Sequence, residues 1–484
     1  MYSDILLFLS TISCLLPTIT AQTFPQIDLG YATHTPTFIN TTKSGTKIGL
    51  YNNIRFAQPP TGAHRFRKPV TPPPHEDGTQ DGRDRLATSD CVSSVNSQAP
   101  FPGINGTTWG QEDCLFLNVW VPEGVREGDN VPVLHWLHGS AFAFGSKDLM
   151  GLYGWVSSAH EDMDANVGLH DGIAALEWTK KYVSRFGGDP DNITVGGQSA
   201  GAAMIAMMLV GNGGNGTLPF QKAFLSSPAL MPRRNVTERR QEVYDRALQA
   251  ANCSSLACLR NATPSALAAT NKKVLDLPGG SGGGTFGPGI GIGPFPDGKY
   301  LLDAVPVMLQ QGHYHKNVQA VMSGNMAAEG FGMTSEVSTY KDFATLVRRL
   351  VPGASNSTVQ HIRDMYPYPD SQLQLVANTW TTDVVFACNA RAVAKAYGNR
   401  TQREGVGLPV ENVSLARQFQ SEVLKFTTGN LKQDNRTDVW TLYAPGAKMV
   451  NVTLDGIEQS VDPWAKKPNC EIILKTVMEK SNGA

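Results

Sequence analysis

The sequence predicts an α/β protein, a central and mostly parallel sheet covered by helices. Three observations carry that prediction. Strand-length apolar runs alternate with helical patterns along the chain. Val131-Pro-Val-Leu-His-Trp-Leu137 is such a run and ends at His138-Gly139, as a buried strand entering a loop should. Ile193-Thr194-Val195 leads through a serine-bearing turn straight into the small-residue helix Ala200 to Leu209.

From the N-terminus, Ile5 to Ile19 is apolar and interrupted by Pro17, too short for a membrane span and followed by the small residue Ala21. Residues 1–21 are read as a signal peptide. Asp4 and the lack of Lys or Arg ahead of the apolar stretch leave a buried N-terminal strand as the alternative. Residues 22–484 then form one domain, because no repeat, heptad run or linker of distinct composition marks a boundary. Twelve Asn-x-Ser/Thr sequons, from Asn40 to Asn451, fit passage through a secretory pathway to the extracellular space. Of seven cysteines, Cys14 falls in the leader and six remain, an even number suited to disulfides in an oxidising compartment. Cys253 and Cys258 are close enough to staple one small loop.

Ile173 to Phe186 reads as a helix, with Ile173, Leu176, Val183 and Phe186 at helical spacing, Gly187-Gly188 as its stop, and Asp189-Pro190 turning into the next strand. Leu277 to Pro294 is rich in Gly and Pro and reads as a surface loop. Ser414 to Phe426 is a further helix, with Leu415, Phe419 and Val423 on one face, Ser414 as N-cap and Gly429 past its end. Lys+Arg 41 against Asp+Glu 42 leaves a net charge of -1 without any basic block, which excludes nucleic acid as a partner. After signal cleavage no integral membrane segment is expected.

The chemistry concentrates at Gly197-Gln198-Ser199-Ala200-Gly201. Between a strand and a helix, a serine in this pattern sits on a strained turn with its hydroxyl above the sheet, and the helix N-terminus favours negative charge developing nearby. The glycines let two backbones approach. With 48 Gly in the chain the pattern also arises by accident, and Gly279-Gly280-Ser281-Gly282-Gly283, with no strand before it and no helix after, is such a case.

With these motifs stand Arg55-Phe-Ala-Gln-Pro-Pro60, Glu112-Asp-Cys-Leu-Phe-Leu-Asn-Val119 and Asn166-Val-Gly-Leu-His-Asp171. In this order they resemble the type-B carboxylesterase and lipase family of α/β hydrolases, which includes the cholinesterases, over nearly the whole mature chain. The resemblance implies an α/β-hydrolase fold, a secreted serine hydrolase acting on small-molecule or lipid esters, and no cofactor or metal. It implies Ser199 as nucleophile and Glu329, in Gly324-Asn-Met-Ala-Ala-Glu-Gly330, as the acid that orients a histidine. The amides of Ser140, Ala141 and Ala200 become the oxyanion donors, with His138 structural. The implied disulfides are Cys91 with Cys114, Cys253 with Cys258, and Cys388 with Cys470.

Three departures qualify that expectation. Ser140 stands where the family has glycine, so a positive φ there would be strained. Only Ser146 to Met150 fills the place of a long apolar strand after the oxyanion loop, which points to a missing piece of coding sequence. No histidine follows Glu329 except His361, in a helical stretch far too early, and only Asn399 to Val413 occupies the place of a strand and the histidine loop. Two functions follow: a secreted serine esterase whose chain lacks two segments, or a catalytically inactive binding or adhesion protein of the same fold.

Overall fold

The computed structural model describes residues 24–85, 89–97, 103–231, 234, 237–276, 293–331, 333–334, 336–406, 413–429, 442–453 and 455–482. Residues 1–21, expected as a signal peptide, Ser281 with most of the glycine-rich stretch around it, and the sequons at Asn235, Asn412 and Asn435 lie outside the described residues.

Two sheets organise the molecule. Strands β1 (Phe38–Thr41), β2 (Lys47–Arg55) and β3 (Phe116–Pro122) form an antiparallel sheet in that order. The principal sheet runs β4 (Val131–Leu137), β5 (Gly188–Gln198), β6 (Lys222–Ser226), β7 (Ala320–Met326), β8 (Thr401–Val406), β9 (Lys448–Thr453) and β10 (Gly456–Val461). Its first six strands are parallel and β10 is antiparallel to β9. Central strands of such a sheet are covered on both faces, and β6 and β7 are accordingly buried almost throughout.

Seven helices matter for the site and its surroundings: α1 (Val167–Tyr182), α2 (Ala200–Val210), α3 (Val305–Gln311), α4 (Asn356–Asp364), α5 (Cys388–Tyr397), α6 (Val413–Thr428) and α7 (Asn469–Met478). Every residue of α2 is buried, which explains why it is apolar all round instead of striped. The alternation of β6 separates the faces: Ala223 and Leu225 join the α2 side, while Phe224 packs with Leu415 and Phe426 of α6. The buried Lys222 amine fastens α6 by donating to the carbonyls of Phe426, Thr427 and Gly429. Helix α1 starts at Val167, six residues ahead of the periodic pattern, because Gly168 and Gly172 interrupt the apolar repeat at points of close packing on Trp155 and Met204.

One expectation is corrected. The run Val131–Leu137 is a strand, but an edge strand, with Leu134 43% and Trp136 51% exposed on one face. Consecutive strands β3 and β4 end up at the edges of different sheets, and β3 shows Trp120 to solvent. Apolar composition signals a strand without signalling how many neighbours it has. The principal sheet therefore ends at β4. The Ser146 to Met150 segment is well anchored. The Ser146 hydroxyl donates to Asp90 at 2.7 Å, the Lys147 amine to Asn53 at 2.7 Å, and the Leu149 amide to Asp171 at 3.1 Å. Between Asn399 and Val413 the chain does supply a strand, β8, and 407–412 lie outside the described residues.

Disulfides join Cys91–Cys114, Cys253–Cys258 and Cys388–Cys470. Among the described residues no helix is long and apolar enough to cross a membrane.

Candidate active site

Ser199 occupies the sharp turn between β5 and α2, with φ 56° and ψ -119°, a conformation an L-residue adopts only when its surroundings impose it. The surroundings do so through glycine. A Cβ on Gly197 would stand 2.7 Å from the Gly201 carbonyl carbon, and one on Gly201 would run into the Leu137 carbonyl oxygen at the end of β4. The Ser199 amide donates to Ser226 at 2.9 Å, while its carbonyl accepts from Ala203 at 2.9 Å and from Ala229 at 3.2 Å. The side chain itself hydrogen-bonds to nothing among the described residues.

Gln198, Ser226 and Gly324 lie in one row across β5, β6 and β7. Ser199 follows the first of these directly, and Glu329 lies three residues beyond the end of β7. Both therefore follow the C-terminal ends of strands β5 and β7, which are two strand spacings or about 10 Å apart. Glu329 accepts a 2.8 Å hydrogen bond from the Met326 amide and a short one from the Ser227 hydroxyl. Burial raises its carboxyl above the ordinary range, and those two donors oppose the rise. Ser227, held at φ 53° after β6, was not singled out from the sequence; a serine in a Ser-Ser-Pro turn carries no distinguishing pattern.

The loop after β4 places Ser140, Ala141 and Phe142 at φ 88°, 55° and 60°. Three successive non-glycine residues in this region cost about 1–2 kcal/mol each. They are held by Phe142, which packs edge-on against Trp155 at 4.7 Å, and by the Gly151 amide donating to the Phe142 carbonyl at 2.8 Å. The amides of Ser140, Ala141 and Ala200 meet no acceptor among the described residues. Gly139 presses this loop on the elbow, since a Cβ there would stand 3.1 Å from the Ser199 Cβ.

His138 points elsewhere. Its Nδ1 lies 2.9 Å from the Gly139 carbonyl, and its Nε2 pairs closely with Asp148. Burial opposes charge on this ring, yet the Asp148 carboxylate overrides it and lifts the pKa to about 9. Asp148, in the abbreviated segment, was also missed by sequence reasoning. His170 stacks edge-on with Tyr300 at 5.2 Å and is pushed down to about 4 by burial. His361 is exposed on α4. All ten histidines are described, and none hydrogen-bonds to Ser199 or Glu329. Among the described residues no group of His, Cys, Asp and Glu is placed to hold a metal ion.

Comparison with known proteins gives this geometry its context. The chain is similar to Carboxylesterase patB of Penicillium expansum, 28% identical over 457 residues, covering 78% of this chain and 79% of the relative. It is also similar to Lipase 1 of Geotrichum candidum, 27% identical over 383 residues, covering 66% and 67%. The crystal structure of Aspergillus niger EstA superposes with a TM-score of 0.77 over 96% of this chain and 99% of that one, at 20% identity, which shows the α/β-hydrolase fold. The model of the carboxylesterase family matches residues 38–151 and 149–403. Those stretches span well over half of the sequence and run through both Ser199 and Glu329, so this chain belongs to the carboxylesterase family.

Proposed function

We propose that this fold is built to hydrolyse carboxylic esters outside the cell by acyl transfer to Ser199, and that the chain as written lacks the general base for that step. The observation that carries the reading is the Ser199 elbow, whose unpartnered hydroxyl is flanked by the unpartnered amides of Ser140 and Ala141 in the loop after β4 and of Ala200 at the start of α2. Acyl transfer needs donors for the developing oxyanion as well as a nucleophile. Glu329 would orient a histidine standing in the interval between it and Ser199. His138 is committed to Asp148 and the Gly139 carbonyl and makes no contact with Ser199, so it is not placed to take its proton. Export is supported by the sequons: of the nine asparagines among the described residues, seven are exposed and none is buried. The two stretches matching the family join at 149–151, and the second ends at 403 within β8. The reading that segments are lacking near these two places is supported by that division.

A second reading, a binding protein without turnover, is favoured by the lack of any histidine contact to Ser199. Hydrolysis of p-nitrophenyl esters separates the two. Loss of the base from such a triad costs about 10⁶ in kcat, with a residual ~10³–10⁴ over water from the oxyanion donors. The chain as written should stay near background. A version given a strand between residues 145 and 151 and a histidine-bearing loop after β8 should turn over at enzyme rates and lose activity with Ser199→Ala. A restored version that folds and remains inactive would favour the binding protein.

A further inference from the structure

A cavity of about 380 Å³ lies away from Ser199, between α3, α5 and α7, with the Cys388–Cys470 disulfide in its wall. Its size falls within the roughly 300–1,000 Å³ of sites that enclose small organic ligands. Much of the wall is apolar, with Leu309, Val384, Ala392 and Ile473 among the lining side chains. Two cations and one carboxylate also line it. Arg391 pairs with Glu471 at 2.8 Å, and the Lys395 amine stands 3.9 Å from the same carboxylate oxygen. One positive charge is therefore left over.

We propose that this cavity binds an aliphatic carboxylate, its chain against the apolar wall and its head group on the Lys395 amine beside the Arg391 guanidinium. The excess positive charge selects an anion, the planar guanidinium suits a carboxylate, and the apolar wall selects an alkyl tail. The site does not depend on ester hydrolysis by this chain. The acid reaches it from solution, whether as a free fatty acid or as the product of an esterase.

Calorimetric titration of the whole purified protein with hexanoate, octanoate and decanoate tests this. Affinity should rise roughly fourfold per methylene, and decanol should bind at least tenfold more weakly than decanoate. Arg391→Met should weaken decanoate at least tenfold while leaving decanol unchanged. Ala392→Trp, which fills the cavity, should abolish both. Ser199→Trp, which blocks the elbow, should leave decanoate binding intact, so that a site at the elbow is told apart from this one. Near-ultraviolet circular dichroism of each variant checks its fold, with Lys395→Gln as the milder alternative if Arg391→Met unfolds. Absence of saturable decanoate binding, equal binding of decanol, or loss of binding with Ser199→Trp but not Ala392→Trp would overturn the proposal.

Discussion

Asp171 is fully buried, accepts one hydrogen bond from Leu149, and leaves its other oxygen without a partner. Burial accordingly drives its carboxyl well above the ordinary carboxylate range. A folded-state value above the unfolded one means that the native protein holds more protons. Its contribution is most favourable below the unfolded pKa, about 3.9, and is lost as pH rises toward the folded value. Asp171→Asn keeps the acceptor for Leu149 and removes the ionisation. It should stabilise the protein at pH 7 and give no advantage near pH 4. Denaturant unfolding at the two pH values checks this, and equal effects at both would show that charge is not the cause. The same accounting separates what the sequence revealed at single positions from what it hid. Ser199 was legible because strand, turn and helix residues are adjacent in the chain. Ser227 and Asp148 were not, because each acquires its role only through a partner 102 and 10 residues away, brought close by the fold.

Among the elements, the elbow strand, the helix after it and the helix from Ser414 follow from pattern, since their periodicity reflects burial on one face or both. The position of β4 does not follow, because its apolar residues would read the same beside one neighbour or two. That edge leaves alternate backbone groups unpaired and shows Leu134 and Trp136 to solvent, a template for pairing with other chains. Trp136→Lys should therefore reduce concentration-dependent association in sedimentation velocity. Its cost to stability should be about 1 kcal/mol or less, because half of the ring is already exposed and its nearest aromatic partner, Phe224, is 6.5 Å away. Unchanged association would mean that the open edge is protected by its twist or by the groups around it.

At the scale of the whole molecule, the disulfides differ in reach. Cys388–Cys470 closes a span of 82 residues, tying the helical layer behind β7 to the C-terminal helix, whereas Cys253–Cys258 closes only 5. Loop-closure entropy assigns about 4.5 kcal/mol to the first and about 2 kcal/mol to the second. The double replacement Cys388→Ser with Cys470→Ser should thus lower the denaturant midpoint about twice as far as Cys253→Ser with Cys258→Ser, provided m is unchanged. The gap between β3 and β4 has a different kind of consequence. To a chaperone, an edge strand with a half-exposed tryptophan, uncovered among the described residues, is the mark of a protein not yet finished. Cells triage such surfaces continuously. How much of this polypeptide persists in a cell would then be set by that edge, and its exposure would be felt first as scarcity.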